Sequence, residues 1–105
     1  MHIQIVNLHL KDLSDSDYRQ ACDGFAPAFA EVPGLVSKVW LANEATNTYG
    51  GIYTWVDRAA MVAFASSDLS KAIAANPNFV DISSRDFAVL AGPTRVTQTR
   101  IPAAA

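Results

Sequence analysis

The sequence predicts an α+β fold of ferredoxin-like type, an antiparallel sheet in the order β-α-β-β-α-β with both helical segments on one face. Three observations predict it. The stretch from Leu35 to Val56 reads as a hairpin, amphipathic helical patterns flank it, and strand-like segments open and close the array. At 105 residues the chain is expected to form one domain, residues 1–105, with 100–105 as a frayed tail.

The hairpin reads LVSKVWLA, then NEATNT, then YGGIYTWV. Its arms are rich in β-branched and aromatic residues, and the break between them is polar. Pairing Ala42 with Tyr49 sets Trp40 against Gly51, Lys38 against Tyr53 and Val36 against Trp55, all on one face. The other face then carries Leu35, Ser37, Val39, Leu41, Gly50, Ile52, Thr54 and Val56. A one-residue slip would mix an aromatic set with an aliphatic one, which argues for this register. Both faces are too apolar for a sheet with one side in water. One is expected to lie under the helices and the other against a second copy of the chain.

Residues 2–10, HIQIVNLHL, predict the first strand, with Asn7 and His9 on the face of Ile3 and Ile5. Ser14 or Ser16 can cap a helix from Asp15 to Glu31, whose apolar stripe is Tyr18, Cys22, Phe25 and Phe29. Pro27 lies opposite that stripe and should bend the helix around the core. Asp57 caps a second helix, Arg58 to Ala65, with Ala60, Met61 and Phe64 inward. Ser66-Ser67-Asp68 caps another piece, Leu69 to Ala75, with Leu69, Ala72 and Ile73 as its apolar side. The last strand falls within Phe79–Ala91, with a bulge expected near Ser83–Asp86, where the apolar phase flips. Thr94–Thr99, TRVTQT, has strand composition and is expected as an edge strand or as an arm laid on a partner.

Half of the residues are hydrophobic and 17% are charged, an apolar excess that an interface would absorb. A net charge of −2 gives no electrostatic case for nucleic acid or an anionic membrane. The topology is shared with RNA-binding domains, but Thr48–Val56 lacks their basic residue, glycine and aromatics at the required positions. Cys22 is the single cysteine, so no internal disulfide is possible. With no apolar run of membrane-spanning length, a soluble, cytoplasmic location is expected. Two histidines and one cysteine, far apart, match no metal-ligand spacing, and no GxGxxG or Walker-type phosphate loop is present.

Landmarks along the chain carry a resemblance. They are Leu8-His9, Pro33-Gly34-Leu35, Lys38-Val39-Trp40, Gly50-Gly51-Ile52-Tyr53 followed by Asp57, and Asp86-Phe87-Ala88-Val89. In this order and spacing the chain resembles, over residues 3–99, the small monooxygenases of the YdhR type in the dimeric α/β-barrel superfamily, relatives of the antibiotic-biosynthesis monooxygenases. The resemblance implies a homodimer with two sheets packed face to face, and a pocket in each subunit between sheet and helices. It further implies oxidation of aromatic, polyketide-like molecules by molecular oxygen without metal, flavin or haem. The matched positions are His9, Lys38, Trp40, Gly50, Gly51 and Tyr53; no catalytic motif of the better-characterised relatives matches residue by residue.

Among residues able to do chemistry, His9 could take a proton from a phenol or enol, or could be a strand-end histidine bonded to backbone. Lys38, if its face is buried, could stabilise a phenolate or peroxide-like anion, or it could reach past the sheet edge or pair with Asp86 or Glu44. Asn7 could donate to a developing oxyanion. Trp40, Tyr53 and Trp55 form an aromatic wall suited to a flat ligand, or else fill a dimer core. Arg85 is expected in the bulge, pointing into a cleft. The function expected is a cofactor-independent monooxygenase acting on an aromatic or polycyclic small molecule, with no cofactor or metal. The alternative is a non-catalytic dimer that holds a hydrophobic ligand in the same pocket.

Overall fold

Side chains that precede the helices fix where three of them start. Ser14 Oγ accepts from the Asp17 amide at 3.1 Å, Asp57 Oδ1 from that of Ala60 at 2.8 Å, and Ser67 Oγ from that of Ser70 at 3.2 Å. In the computed structural model, which describes residues 1–98, these caps open α1 (Asp15–Ala30), α2 (Arg58–Ala65) and α3 (Asp68–Ala75). The strands are β1 (His2–Leu10), β2 (Leu35–Asn43), β3 (Thr48–Trp55) and β4 (Phe79–Ala88), all antiparallel to their neighbours in the order β2-β3-β1-β4. This is the ferredoxin-like arrangement. A 3-10 turn, Glu44–Thr46, closes the hairpin. Pro27 is exposed within α1, while Tyr18 and Phe29 are buried.

The hairpin pairs as its composition demands, with Ala42 opposite Tyr49, Trp40 opposite Gly51 and Lys38 opposite Tyr53. Near its start the register shifts. Leu35, not Val36, is Trp55's partner, and Val36 is the extra residue of a bulge. The bulge turns Leu35 towards the aromatic side, where it packs in the core, and leaves Val36 52% exposed. The irregularity in β4 also lies earlier than Ser83–Asp86. Asn7 pairs with Ser83 and His9 with Val80, so Asp81 and Ile82 together face Leu8, and Asp81 takes a left-handed φ of 53°.

The largest correction concerns the C-terminal segment. Residues Ala91–Gln98 form a helix, α4, and not a strand. Pro93 sits in its first turn, where its missing N–H costs nothing. The Thr97 hydroxyl donates to the Pro93 and Thr94 carbonyls, which gives it partners within the helix. Thr99 and the expected tail at 100–105 lie outside the described residues.

The helices cover the face that carries Val6, Leu8, Trp40, Tyr49, Tyr53 and Trp55. Two buried clusters result, one around Leu8, Tyr18, Tyr49 and Phe79, the other around Phe29, Tyr53, Trp55 and Met61. Gly50 is what allows β1 and β3 to approach. A Cβ there would lie 1.8 Å from the Val6 carbonyl oxygen, and its φ of +142° suits glycine.

Candidate active site

Strand alternation places Lys38, Trp40 and Tyr53 together on the helix side, and α1 closes over them with Phe29. The Lys38 amine lies 3.5 Å from the ring centroids of both Phe29 and Trp40 and 4.7 Å from that of Tyr53. Such rings attract an ammonium through their negative faces. Lys38 has no hydrogen bond or ion pair among the described residues. Asp86, one expected partner, is instead bonded to His2 at 2.7 Å and lies 3.6 Å from the Arg58 Nε. Nζ keeps some contact with solvent, since no fully buried side-chain nitrogen among the described residues lacks a partner. Burial without a counter-ion lowers the Lys38 amine from 10.5 to about 7, and the nearby Cys22 pulls the other way.

Gly51 makes this arrangement possible. A Cβ there would come within 2.9 Å of Lys38 Cε and 3.1 Å of the Val39 carbonyl oxygen. The gap opposite Trp40 is therefore filled by the lysine stem rather than held open for a ligand.

Two neighbouring clefts open between α1 and β2, meeting at Ala26 and Trp40. One, of about 390 Å³, is lined by Tyr18, Arg19, Cys22, Asp23 and Trp40. The other, of about 330 Å³, is lined by Phe29, Leu35, Ser37, Lys38 and Trp40. A third cleft, about 250 Å³, lies under α2 and α3, and Tyr53 forms part of its wall with Gln4, Phe64 and Ser84. Burial pushes the Cys22 thiol up, which keeps it protonated, and it likewise raises the phenols of Tyr18 and Tyr53.

The remaining residues singled out from sequence are elsewhere. Trp55 is 0% exposed and gives its indole N–H to Gln4 Oε1 at 3.0 Å, so it supports Tyr53 by stacking and does not line a cleft. Asn7, His9 and Arg85 do not join Lys38. Asn7 stands opposite Gly50 and Arg85 opposite Ile5, on the outer face of the sheet. Asn7 Nδ2 donates to the Tyr49 carbonyl at 3.5 Å. Exposed His9 holds Asp81 through Nδ1 at 3.0 Å rather than a backbone carbonyl. Arg85 is not in the bulge, which ends before it. Phe29 and Cys22, read only as core from the helix stripe, border the clefts; nothing in their spacing distinguishes a cleft wall from a filled core.

The fold recurs in solved structures. A "putative antibiotic biosynthesis monooxygenase" from Deinococcus radiodurans superposes with TM-score 0.69 at 17% identity, covering 85% of this chain and 92% of that one. SnoaB, a cofactor-independent oxygenase from Streptomyces nogalater, gives TM-score 0.65 at 21% identity, covering 85% of this chain and 93% of its own. The haem degrader MhuD from Mycobacterium tuberculosis, solved with two haems in its active site, gives 0.67 at 20% identity, covering 86% and 96%. At these identities the likeness is one of fold. No curated protein matches the chain in sequence. The profile of one family, described as "Putative mono-oxygenase ydhR", matches residues 3–100, and so the chain belongs to the YdhR mono-oxygenase family.

Proposed function

We propose that the chain is a monooxygenase that uses molecular oxygen on a small aromatic molecule without a resident cofactor, and that it works as a homodimer in the cytoplasm. The observation that carries the reading is the Lys38 amine, held near neutrality in a cage of Phe29, Trp40 and Tyr53 beside an open cleft. An uncharged amine can take a proton from a phenol or enol at neutral pH. The ammonium so formed is the counter-ion of the phenolate, which can then pass an electron to oxygen. Half-buried Trp40, which borders both clefts, gives the substrate a stacking surface. In this reading Lys38 is base and anion stabiliser and Trp40 binds the ring, while buried Tyr53 faces the amine from beneath and Trp55 supports Tyr53. Asn7, His9 and Arg85, on the outer face, take no part in that cleft.

Among the described residues, those of the helix-side clefts do not suit a haem iron. Neither His2 nor His9 lines the helix-side clefts, their nitrogens being held by Asp86 and Asp81. Cys22 is kept as a thiol and Tyr18 and Tyr53 as phenols, all poor axial ligands. Among the described residues no helix is long and apolar enough to cross a membrane. The single cysteine fits a reducing compartment. What supports a dimer is the outer sheet face, where Ile3, Ile5, Val39, Ile52 and Phe87 form an apolar surface that α1, α2 and α3 leave uncovered and α4 borders only near Ile3.

Oxygen uptake with a panel of naphthols and hydroxyquinones tests the reading. Turnover should fall about 100-fold or more in Lys38→Met. Equal turnover in the two proteins would overturn it. The alternative, a binding module, is favoured by ligand-induced quenching of tryptophan emission with no oxygen consumed.

A further inference from the structure

The Lys38 amine differs from the chain's other lysines in its surroundings. Lys11 and Lys71 are exposed, where an ammonium is fully hydrated. Lys38 is partly buried, faces three aromatic rings and has no carboxylate partner. Gly51 leaves room for its stem against the sheet, which brings the amine over the three ring faces. The cleft beside it, about 330 Å³, has room for a mono- or bicyclic aromatic, with Trp40 on its wall and Ser37 and Lys38 among its polar lining. A lysine desolvated in an apolar pocket is the setting in which an amine attacks carbonyl carbon.

We propose that Lys38 is a covalent anchor for aromatic aldehydes or ketones, condensing with their carbonyl group in the cleft between α1 and β2 to form an imine. The Nζ lone pair makes the new C–N bond while the carbonyl π pair moves to oxygen. The carbinolamine then loses that oxygen with two protons as water, leaving C=N; nothing is oxidised or reduced. The lowered amine basicity supports the step, because a far larger share of the amine is uncharged at pH 7 than in an ordinary lysine. A protonated imine withdraws electrons from the attached ring, which would acidify a phenol on it. The inference deepens the proposed function and rests on the Lys38 cleft being the ligand site, but not on the use of oxygen.

The test is to incubate the full chain with 2-naphthaldehyde and sodium cyanoborohydride, and to map the reduced adducts by peptide mass. In parallel, 2-naphthol, which has no carbonyl, is titrated against tryptophan emission. Modification of Lys38 at least tenfold faster than Lys11 and Lys71, slowed by 2-naphthol, is the expected result. Gly51→Ala, which displaces the lysine stem but keeps the lysine, should reduce that preference at least threefold; Lys38→Arg should abolish the adduct on its peptide. Even labelling of the three lysines, with 2-naphthol still quenching emission, would overturn the imine and leave the ligand site standing. Even labelling without quenching would overturn both.

Discussion

The two faces of one sheet were given similar amounts of apolar side chain and met different fates. On the helix side Trp55 is 0% and Tyr53 6% exposed, each packed among Phe29, Met61 and Phe64. On the outer side Val39 is 55% and Phe87 50% exposed. The first face is satisfied within the chain, so its substitutions should report on folding. Among the described residues the second is bordered by α4 only at Ile3 and Thr54, and Val39 and Phe87 stay open, so substitutions there should report on assembly. Lys38 belongs to the first face but has been left without a counter-ion there, which marks a place where stability was given up.

The largest effect should come from Trp55→Ala. It removes a fully buried ring and leaves Gln4 Oε1 without its donor, and should cost about 3–5 kcal/mol in urea unfolding. Phe87→Ala, a ring lost from the outer face, should cost the monomer less than about 1 kcal/mol at dilutions where no dimer persists. Equal costs would break the distinction between the faces.

Val39→Asp should weaken self-association at least about tenfold, since an interface core excludes an unpaired charge. Light scattering across a concentration series reads this directly. Val62→Asp, at an exposed position of α2, is the control and should leave the mass unchanged. A wild-type chain that stays monomeric at all concentrations would remove the proposed role of the outer face.

Lys38 sharpens the comparison through pH. Its folded value, about 7, lies below the unfolded value of 10.5, so between them the unfolded chain binds more protons and stability rises with pH. Below pH 7 both states are charged and the group contributes no slope. Because the amine is partly exposed and the rings attract its charged form, the gain from pH 7 to 9.5 should be about 1–2 kcal/mol. Lys38→Met should lack this rise and be at least as stable as wild type at pH 7. A slope unchanged by the substitution would show that the amine titrates as an ordinary lysine.

The smallest effect is expected at His9. It is exposed and pairs with exposed Asp81, so His9→Ala should change monomer stability by less than about 0.5 kcal/mol. A larger loss would mean that the bulge at Asp81 depends on that contact.

Much of this is legible in the sequence. Ser14, Asp57 and Ser67 are short polar residues set just before apolar-periodic segments, so the caps, and with them three helix starts, could be read locally. The hairpin register followed from keeping aromatic and aliphatic sets apart. The bulge at Val36 was not legible, because an extra residue leaves the composition of both faces plausible. Nor was α4: TRVTQT has the β-branched content of a strand, and a weak propensity was overridden in a segment whose proline suits a first helical turn.

The site was half legible. Lys38, Trp40 and Tyr53 share a parity along paired strands, and that places them together in any fold that keeps the register. His9 and Asn7 share the other parity on β1, and no local pattern relates the parity of β1 to that of β2. That relation is made by hydrogen bonding of both strands to β3, between partners far apart in sequence.

What the sequence determined by itself was therefore the elements from β1 to β4, three helix caps and, apart from Leu35 and Val36, the sorting of the hairpin's side chains into two faces. These depend on neighbours a few residues apart, through capping, the helical period and strand alternation. Which face the helices cover was decided only by the tertiary structure, through the path of α1 between β1 and β2 and the handedness of that crossover. The same choice enclosed the Lys38 amine in aromatic rings and left Val39 and Phe87 in the open. An alternating pattern reads equally well from either side, and only the packed chain breaks that symmetry.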